Sequence, residues 1–195
     1  VIPADPAAIV IGASMGAIEA LSVILPALPA GFPLAVIVVV HIPPDKKSLL
    51  AELFAARCQL AVKEAEDKEL IQPAMIYFAP PDYHLLVEPD FRLSLSSDEP
   101  VRYSRPAIDV LFESAADAYG DNLTGVVLTG ANSDGTRGLR TICDAGGNAL
   151  VQSPGNAEGK AMPTAALAAC PEARSLSLIE ISAALIALPR PRRND

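Results

Sequence analysis

Three side chains with hydrolytic chemistry stand where apparent strands end. Ser14 lies in Gly12-Ala13-Ser14-Met15-Gly16 after the apolar run 8–11, His41 closes the run 34–40, and Asp134 follows the run 126–129 and Gly130. A hydroxyl nucleophile, an imidazole base and an orienting carboxylate are the parts of acyl transfer through a covalent intermediate. In an open parallel sheet, ligands collect in the crevice beyond the carboxyl ends of the strands, so three positions far apart in sequence would converge there. The chain has two histidines, so the base is His41 or His84. His84, between a Pro-Pro-Asp turn and a short strand, is expected to be structural or at the rim of the site.

The turn around Ser14 supports two chemistries. As Gly-x-Ser-x-Gly it would let the backbone turn sharply from strand to helix, exposing the hydroxyl beside the free N–H groups of a helix start. As a degraded dinucleotide fingerprint it has Gly12, Ser14 and Ala17 where three glycines belong. A dinucleotide fold needs an acidic residue at the end of the next strand, and His41 stands there; the histidine favours acyl chemistry. Each residue also has a plain structural role: Ser14 as a helix N-cap, His41 as a hydrogen-bonded strand-end histidine, Asp134 before Gly135 as a turn former. Their joint placement at strand ends raises the functional reading.

The elements that would position these groups alternate along the chain. A helix starting near Met15 or Gly16 would bury Ala17, Ala20, Leu21 and Ile24 and stop at Pro26 and Pro29. A second over 47–57 would bury Leu49, Leu50, Leu53 and Phe54. A third would open at Pro106 and end at Gly120. Between them, 75–79, 85–87 and 91–95 read as three short strands of an antiparallel insertion. A helix over 139–145, a strand over 149–152 and helical segments after Asn156 and Ser177 complete the pattern. The fold expected is α/β: a doubly wound, mostly parallel sheet flanked by helices, with an antiparallel hairpin insertion.

Length and composition agree with one domain over 1–188 and a Pro/Arg-rich tail over 189–195. A chain of 195 residues, 51% hydrophobic, can bury roughly 70% of its unfolded surface without a disulfide or metal. No cofactor is implied. The formal charge of −8 argues against nucleic acid as a partner, and no apolar run reaches the roughly 20 residues needed to insert directly into a membrane. Cys58, Cys143 and Cys170, odd in number and without metal-ligand spacing, are expected as reduced thiols of the cytoplasm, small residues of the core. The first residue is not Met, which leaves room for a longer parent chain.

Nearly the whole chain resembles the catalytic domain of the chemotaxis-receptor methylesterases of the CheB type. The matching stretches are Ile11-Gly12-Ala13-Ser14, Val40-His41-Ile42-Pro43, Ile76-Tyr77-Phe78-Ala79-Pro80-Pro81-Asp82-Tyr83-His84-Leu85, Ser104-Arg105-Pro106-Ala107-Ile108-Asp109-Val110-Leu111-Phe112, and Leu128-Thr129-Gly130 followed by Asp134-Gly135. The resemblance implies Ser14 as nucleophile, His41 as general base and acid, and Asp134 as the orienting carboxylate. It also implies hydrolysis of glutamate γ-methyl esters on the cytoplasmic helices of methyl-accepting chemoreceptors, with deamidation of receptor glutamines as a second activity. The backbone N–H groups of Met15 and Ala131 are the oxyanion candidates. Arg105 is a candidate for favouring an acidic substrate surface, with pairing to Asp109 or a nearby carboxylate as the alternative. Family members commonly carry an N-terminal receiver domain; the residues before Ala8 are too few to hold one, so the resemblance leaves such a domain to a longer parent chain. The chain departs from the family at Met15-Gly16-Ala17, where Thr-Gly-Gly is usual, and at Ala131-Asn132, where Met-Gly is usual. Asn132 is expected to take over a glycine's positive backbone dihedral. A catalytically silent receptor-binding scaffold and a small-molecule esterase are the alternatives.

Overall fold

A computed structural model of the chain describes residues 7–41 and 48–188. Seven strands form one parallel sheet: β1 (Ala8–Ala13), β2 (Ala35–Val40), β3 (Ala61–Glu64), β4 (Met75–Phe78), β7 (Leu123–Val127), β8 (Asn148–Gln152) and β9 (Arg174–Leu176), in the order β3-β4-β2-β1-β7-β8-β9. The remaining two, β5 (His84–Val87) and β6 (Leu93–Ser96), pair antiparallel as a separate ribbon.

The helices are α1 (Ala17–Ile24), α2 (Leu50–Ala55), α3 (Ile108–Tyr119), α4 (Thr136–Asp144), α5 (Ala161–Ala169) and α6 (Leu178–Ile186). Strand alternation divides the core between the two sheet faces. Ile9, Ile11, Val36 and Val38 pack with Leu21 and Ile24 of α1, Phe54 of α2 and Ile181 of α6. Val10, Ile37 and Val39 pack with Ile108 and Phe112 of α3, Leu139 of α4 and Met162 of α5. This is the doubly wound α/β fold with an antiparallel hairpin that the residue pattern predicts. From β1 the chain passes to β2, out to the edge strand β3 and back to β4 between them, then crosses to β7 on the other side of β1. The carboxyl end of β1 is therefore the switch point at which a crevice opens.

Several local expectations need correction. Residues 75–78 form β4, an inner strand of the parallel sheet, so only β5 and β6 belong to the insertion. Strands β3 and β9 were not anticipated. The second helix is shorter than the predicted 47–57, of which residue 47 lies outside the described residues; with its start at Leu50, Leu49 is left 57% exposed and Leu53 half-buried. The third helix begins at Ile108, two residues past Pro106, because its first N–H groups are capped by Asp134, 26 residues away along the chain from Ile108. Cys143 and Cys170 are joined as a disulfide, against the expectation of reduced thiols; α4 and α5 pack side by side and bring them together. Only Cys170 is fully buried, and the free Cys58 is half-buried, its thiol pushed up by burial. The predicted tail over 189–195 lies outside the described residues. Among the described residues no helix is long and apolar enough to cross a membrane.

Candidate active site

β1 ends at Ala13, and the next residues turn into α1. Gly16 is the N-cap of α1 with φ 79°, a left-handed conformation that favours glycine. A Cβ there would lie 2.9 Å from Glu158 Oε2. Ser14 is thus not the side-chain cap of this helix; among the described residues its hydroxyl has no hydrogen-bond partner, while its carbonyl accepts from Ala17 N–H at 3.0 Å. The turn is tied to the loop after β7. Ser14 N–H donates to the Thr129 carbonyl (2.9 Å), and Thr129 Oγ1 donates to the Met15 carbonyl (2.7 Å) while accepting from Gly159 N–H (2.8 Å).

His41 follows β2 directly. The β1–β2 register pairs Ala13 with Val40, and His41 N–H continues it by donating to the Ala13 carbonyl at 3.2 Å. Ser14 and His41 therefore leave adjacent strands side by side, about 4.8 Å apart across the ladder.

Asp134 is fully buried and accepts four hydrogen bonds. Oδ2 takes His41 Nε2 (2.7 Å) and Ile108 N–H (2.6 Å); Oδ1 takes Asp109 N–H (3.0 Å) and Gly135 N–H (2.9 Å). Ile108 and Asp109 open α3, so the carboxylate sits on the positive end of a helix. Burial by itself would push this carboxyl up. The hydrogen bonds from His41, Asp109 and Ile108 outweigh that and hold it below its ordinary value. Being ionised, Asp134 can only accept, so His41 Nε2 carries the proton. Gly12 lets α3 come this close: a Cβ there would lie 2.3 Å from Ile108 Cγ2.

The other face of the imidazole meets Asn132, whose Nδ2 lies 3.3 Å from His41 Nδ1 and whose Oδ1 accepts Asp134 N–H at 3.0 Å. Asn132 has no positive φ, contrary to expectation; its side chain, not its backbone, is what the position uses.

The remaining sequence candidates fall out differently. The N–H groups of Met15 and Ala131 donate to no described residue, and both residues are exposed. Arg105 is committed to the Asp82 carboxylate (2.6 Å) and the carbonyls of Ser97 and Asp98, away from Asp109. His84 is buried, accepting Ala107 N–H at Nδ1 (3.2 Å) with Nε2 3.1 Å from the Glu99 carbonyl, a structural histidine.

Sequence reasoning missed a layer beneath the site. Asp109 is fully buried; its Oδ1 accepts Gly138 N–H (2.8 Å), and its Oδ2 lies 3.4 Å from Arg102 Nε without a hydrogen bond. Burial pushes the Asp109 carboxyl up and the charge of Asp134 adds to this, against the Gly138 N–H and the charges of Arg137 and Arg102. Arg102 Nη1 also donates to Ser133 Oγ at 2.8 Å, so it clasps the loop that carries Asp134. Among the described residues, the group of side chains able to hold a metal is Cys143, Cys170 and Glu172, at the far end of α4 from Asp134, with its two cysteines bonded to each other.

Fold and site together define a doubly wound α/β protein with hydrolase-type side chains at the carboxyl edge of its sheet. The profile of CheB methylesterase matches residues 9–185, and the chain belongs to that family. A relative from Leptospira interrogans serogroup Icterohaemorrhagiae serovar copenhageni is 47% identical over 93% of this chain and 94% of its own length; it is provisionally named protein-glutamate methylesterase/protein-glutamine glutaminase. A relative from Archaeoglobus fulgidus with the same double name is 38% identical over 82% of this chain, which spans 46% of that protein. The crystal structure of the Thermotoga maritima CheB methylesterase catalytic domain superposes with a TM-score of 0.88 at 32% identity, covering 93% of this chain and 97% of that one. These findings bear out the resemblance read from the sequence, and with it the enzyme class: a protein-glutamate methylesterase with protein-glutamine glutaminase relatives.

Proposed function

We propose that the chain hydrolyses glutamate γ-methyl esters on chemoreceptor cytoplasmic helices in the cytoplasm, releasing glutamate and methanol, and deamidates particular receptor glutamines by the same route. The observation that carries this reading is the 2.7 Å bond from His41 Nε2 to the buried, ionised Asp134, beside the strand-end turn of Ser14. Residues 1–188 form the catalytic unit.

With Nε2 bound to Asp134, Nδ1 is the basic nitrogen. It accepts the Ser14 proton as Oγ attacks the ester carbonyl, and it returns that proton to the departing methoxide oxygen. Water then attacks the acyl-serine, giving its proton to Nδ1, which passes it back to Ser14 Oγ as glutamate leaves. Asp134 stabilises the transient imidazolium and keeps the ring oriented. The free N–H groups of Met15 and Ala131 supply the oxyanion donors, each worth about 2.7–4 kcal/mol in sites of this kind.

The test is methanol release from membranes bearing methyl-esterified receptors, for the wild type, Ser14→Ala and His41→Ala. Release by wild type alone supports the reading. Release by folded Ser14→Ala overturns the nucleophile. No release by any of the three overturns the receptor-ester substrate and leaves a scaffold or another ester, which covalent labelling of Ser14 by a phosphonate tells apart.

A further inference from the structure

The residue pressed against the working nitrogen of His41 is Asn132, and its amide orientation is forced. Asp134 N–H is an obligate donor, so the group it meets at 3.0 Å must be Oδ1. Nδ2 is then the group 3.3 Å from His41 Nδ1, and an NH2 can only donate. The imidazole is thereby held as one tautomer, protonated at Nε2 toward Asp134 and bare at Nδ1 toward Asn132.

We propose that Asn132 is a positioning residue that caps the basic lone pair of His41 in the resting enzyme, acting as a brake on proton transfer. The proposal rests on the reading of Ser14 and His41 given above. When Ser14 attacks, its proton moves from Oγ to Nδ1, and Nδ1–H then faces the Asn132 NH2, donor against donor. Turning the amide over would relieve that clash but set NH2 against Asp134 N–H. The amide therefore stabilises the neutral imidazole and opposes the charged one, and the Ser14 hydroxyl must displace it from the lone pair before reacting.

Two substitutions separate the two ends of the amide. Asn132→Ser keeps an oxygen for Asp134 N–H and removes the donor to His41. Asn132→Asp keeps that oxygen and puts an acceptor against Nδ1, which draws a proton onto the nitrogen that must be bare. The expected result is Ser14 phosphonylation and ester hydrolysis about threefold to tenfold faster in Asn132→Ser, the span of one net neutral hydrogen bond. In Asn132→Asp both are expected about tenfold or more slower, the span of a charge-assisted one.

The second readout is the pair of ring 15N signals of His41 in mildly alkaline buffer. Wild type and Asn132→Ser should both show the Nε2–H tautomer, with the bare Nδ1 signal of Asn132→Ser shifted by loss of its hydrogen bond, and Asn132→Asp should show a mixture with Nδ1–H. His84, locked by Ala107 N–H and the Glu99 carbonyl, is the internal reference and reports that each variant is folded. Unchanged rates and unchanged His41 signals in folded Asn132→Ser would overturn the proposal while leaving the nucleophile intact. Hydrolysis surviving in Ser14→Ala would instead overturn the underlying reading. If Asn132→Ser does not fold, Asn132→Asp decides through its His41 signals and rate.

Discussion

Replacing Asp134 by asparagine tests the site at its most connected atom. The two oxygens accept four donors, from His41, Ile108, Asp109 and Gly135. In D134N the surviving oxygen can serve the Asp109 and Gly135 N–H groups, which sets the new NH2 against Ile108 N–H and His41 Nε2–H. His41 can escape by moving its proton to Nδ1, but Nδ1 already faces the NH2 of Asn132. A neutral imidazole has one bare nitrogen, so one clash remains in either tautomer, and the form with Nδ1 available as base is no longer the favoured one. In the serine-protease template the equivalent change costs about 10⁴ in kcat, which corresponds to about 5.5 kcal/mol of barrier. The fold suffers separately. Losing a charge-assisted bond costs about 1.5–3 kcal/mol and stranding the buried Ile108 N–H about 1–3 kcal/mol, a total of about 2.5–6 kcal/mol. Methanol release gives the first quantity and urea unfolding the second. A folded D134N chain that keeps more than roughly a tenth of the wild-type rate would refute the assignment of Asp134 as orienting carboxylate.

Three further outcomes follow from neighbouring contacts. T129V removes the donor to the Met15 carbonyl and the acceptor for the buried Gly159 N–H; it should lower stability by about 1–3 kcal/mol and slow hydrolysis, with T129S retaining both, and equal behaviour of the two variants counts against the tie. Asp109 has a raised native carboxyl value, so the native state binds more protons than the unfolded state between the ordinary carboxylate value, near about 3.9, and the higher native one. Wild-type stability should fall relative to D109N as pH rises through that window and stay level above it; a difference independent of pH in urea melts would show that Asp109 is not perturbed. Cys143 and Cys170 close a loop with a separation of 27 residues, for which chain entropy gives about 3.5 kcal/mol. Reductant should destabilise the wild type by up to that amount and leave a C143S/C170S double variant unchanged in unfolding experiments.

What could be read beforehand was whatever is carried by local pattern. β1 and β2 are buried on both faces, so they read as unbroken apolar runs. The buried stripe of α1, Ala17, Ala20, Leu21 and Ile24, is that of its 3.6-residue period. β3 escaped because it is an edge strand with exposed Ala61 and Glu64 and with Lys63 half-buried, so no apolar run marks it. β4 was misplaced because its partners, β2 and β3, are not set by the Pro-Pro-Asp turn that follows it. The disulfide joins two helices whose contact no spacing encodes.

The site divides in the same way. Ser14, His41 and Asp134 were visible as reactive types at strand ends, while Thr129 stands in the Leu128-Thr129-Gly130 stretch with nothing in the sequence to mark its role. The donors that ionise Asp134 are backbone N–H groups of Ile108 and Asp109, which have no side-chain signature and arrive only because Gly12 admits α3 against β1. Asn132 was noticed as a departure, but it was read through its backbone, as an asparagine tolerating a glycine's dihedral. Its consequence lies in the amide, which becomes visible only once Asp134 N–H settles which end faces His41. A departure inside a motif is therefore best judged by the atoms it introduces beside the reacting groups, since a loop that tolerates the new residue can still change the protonation chemistry it holds.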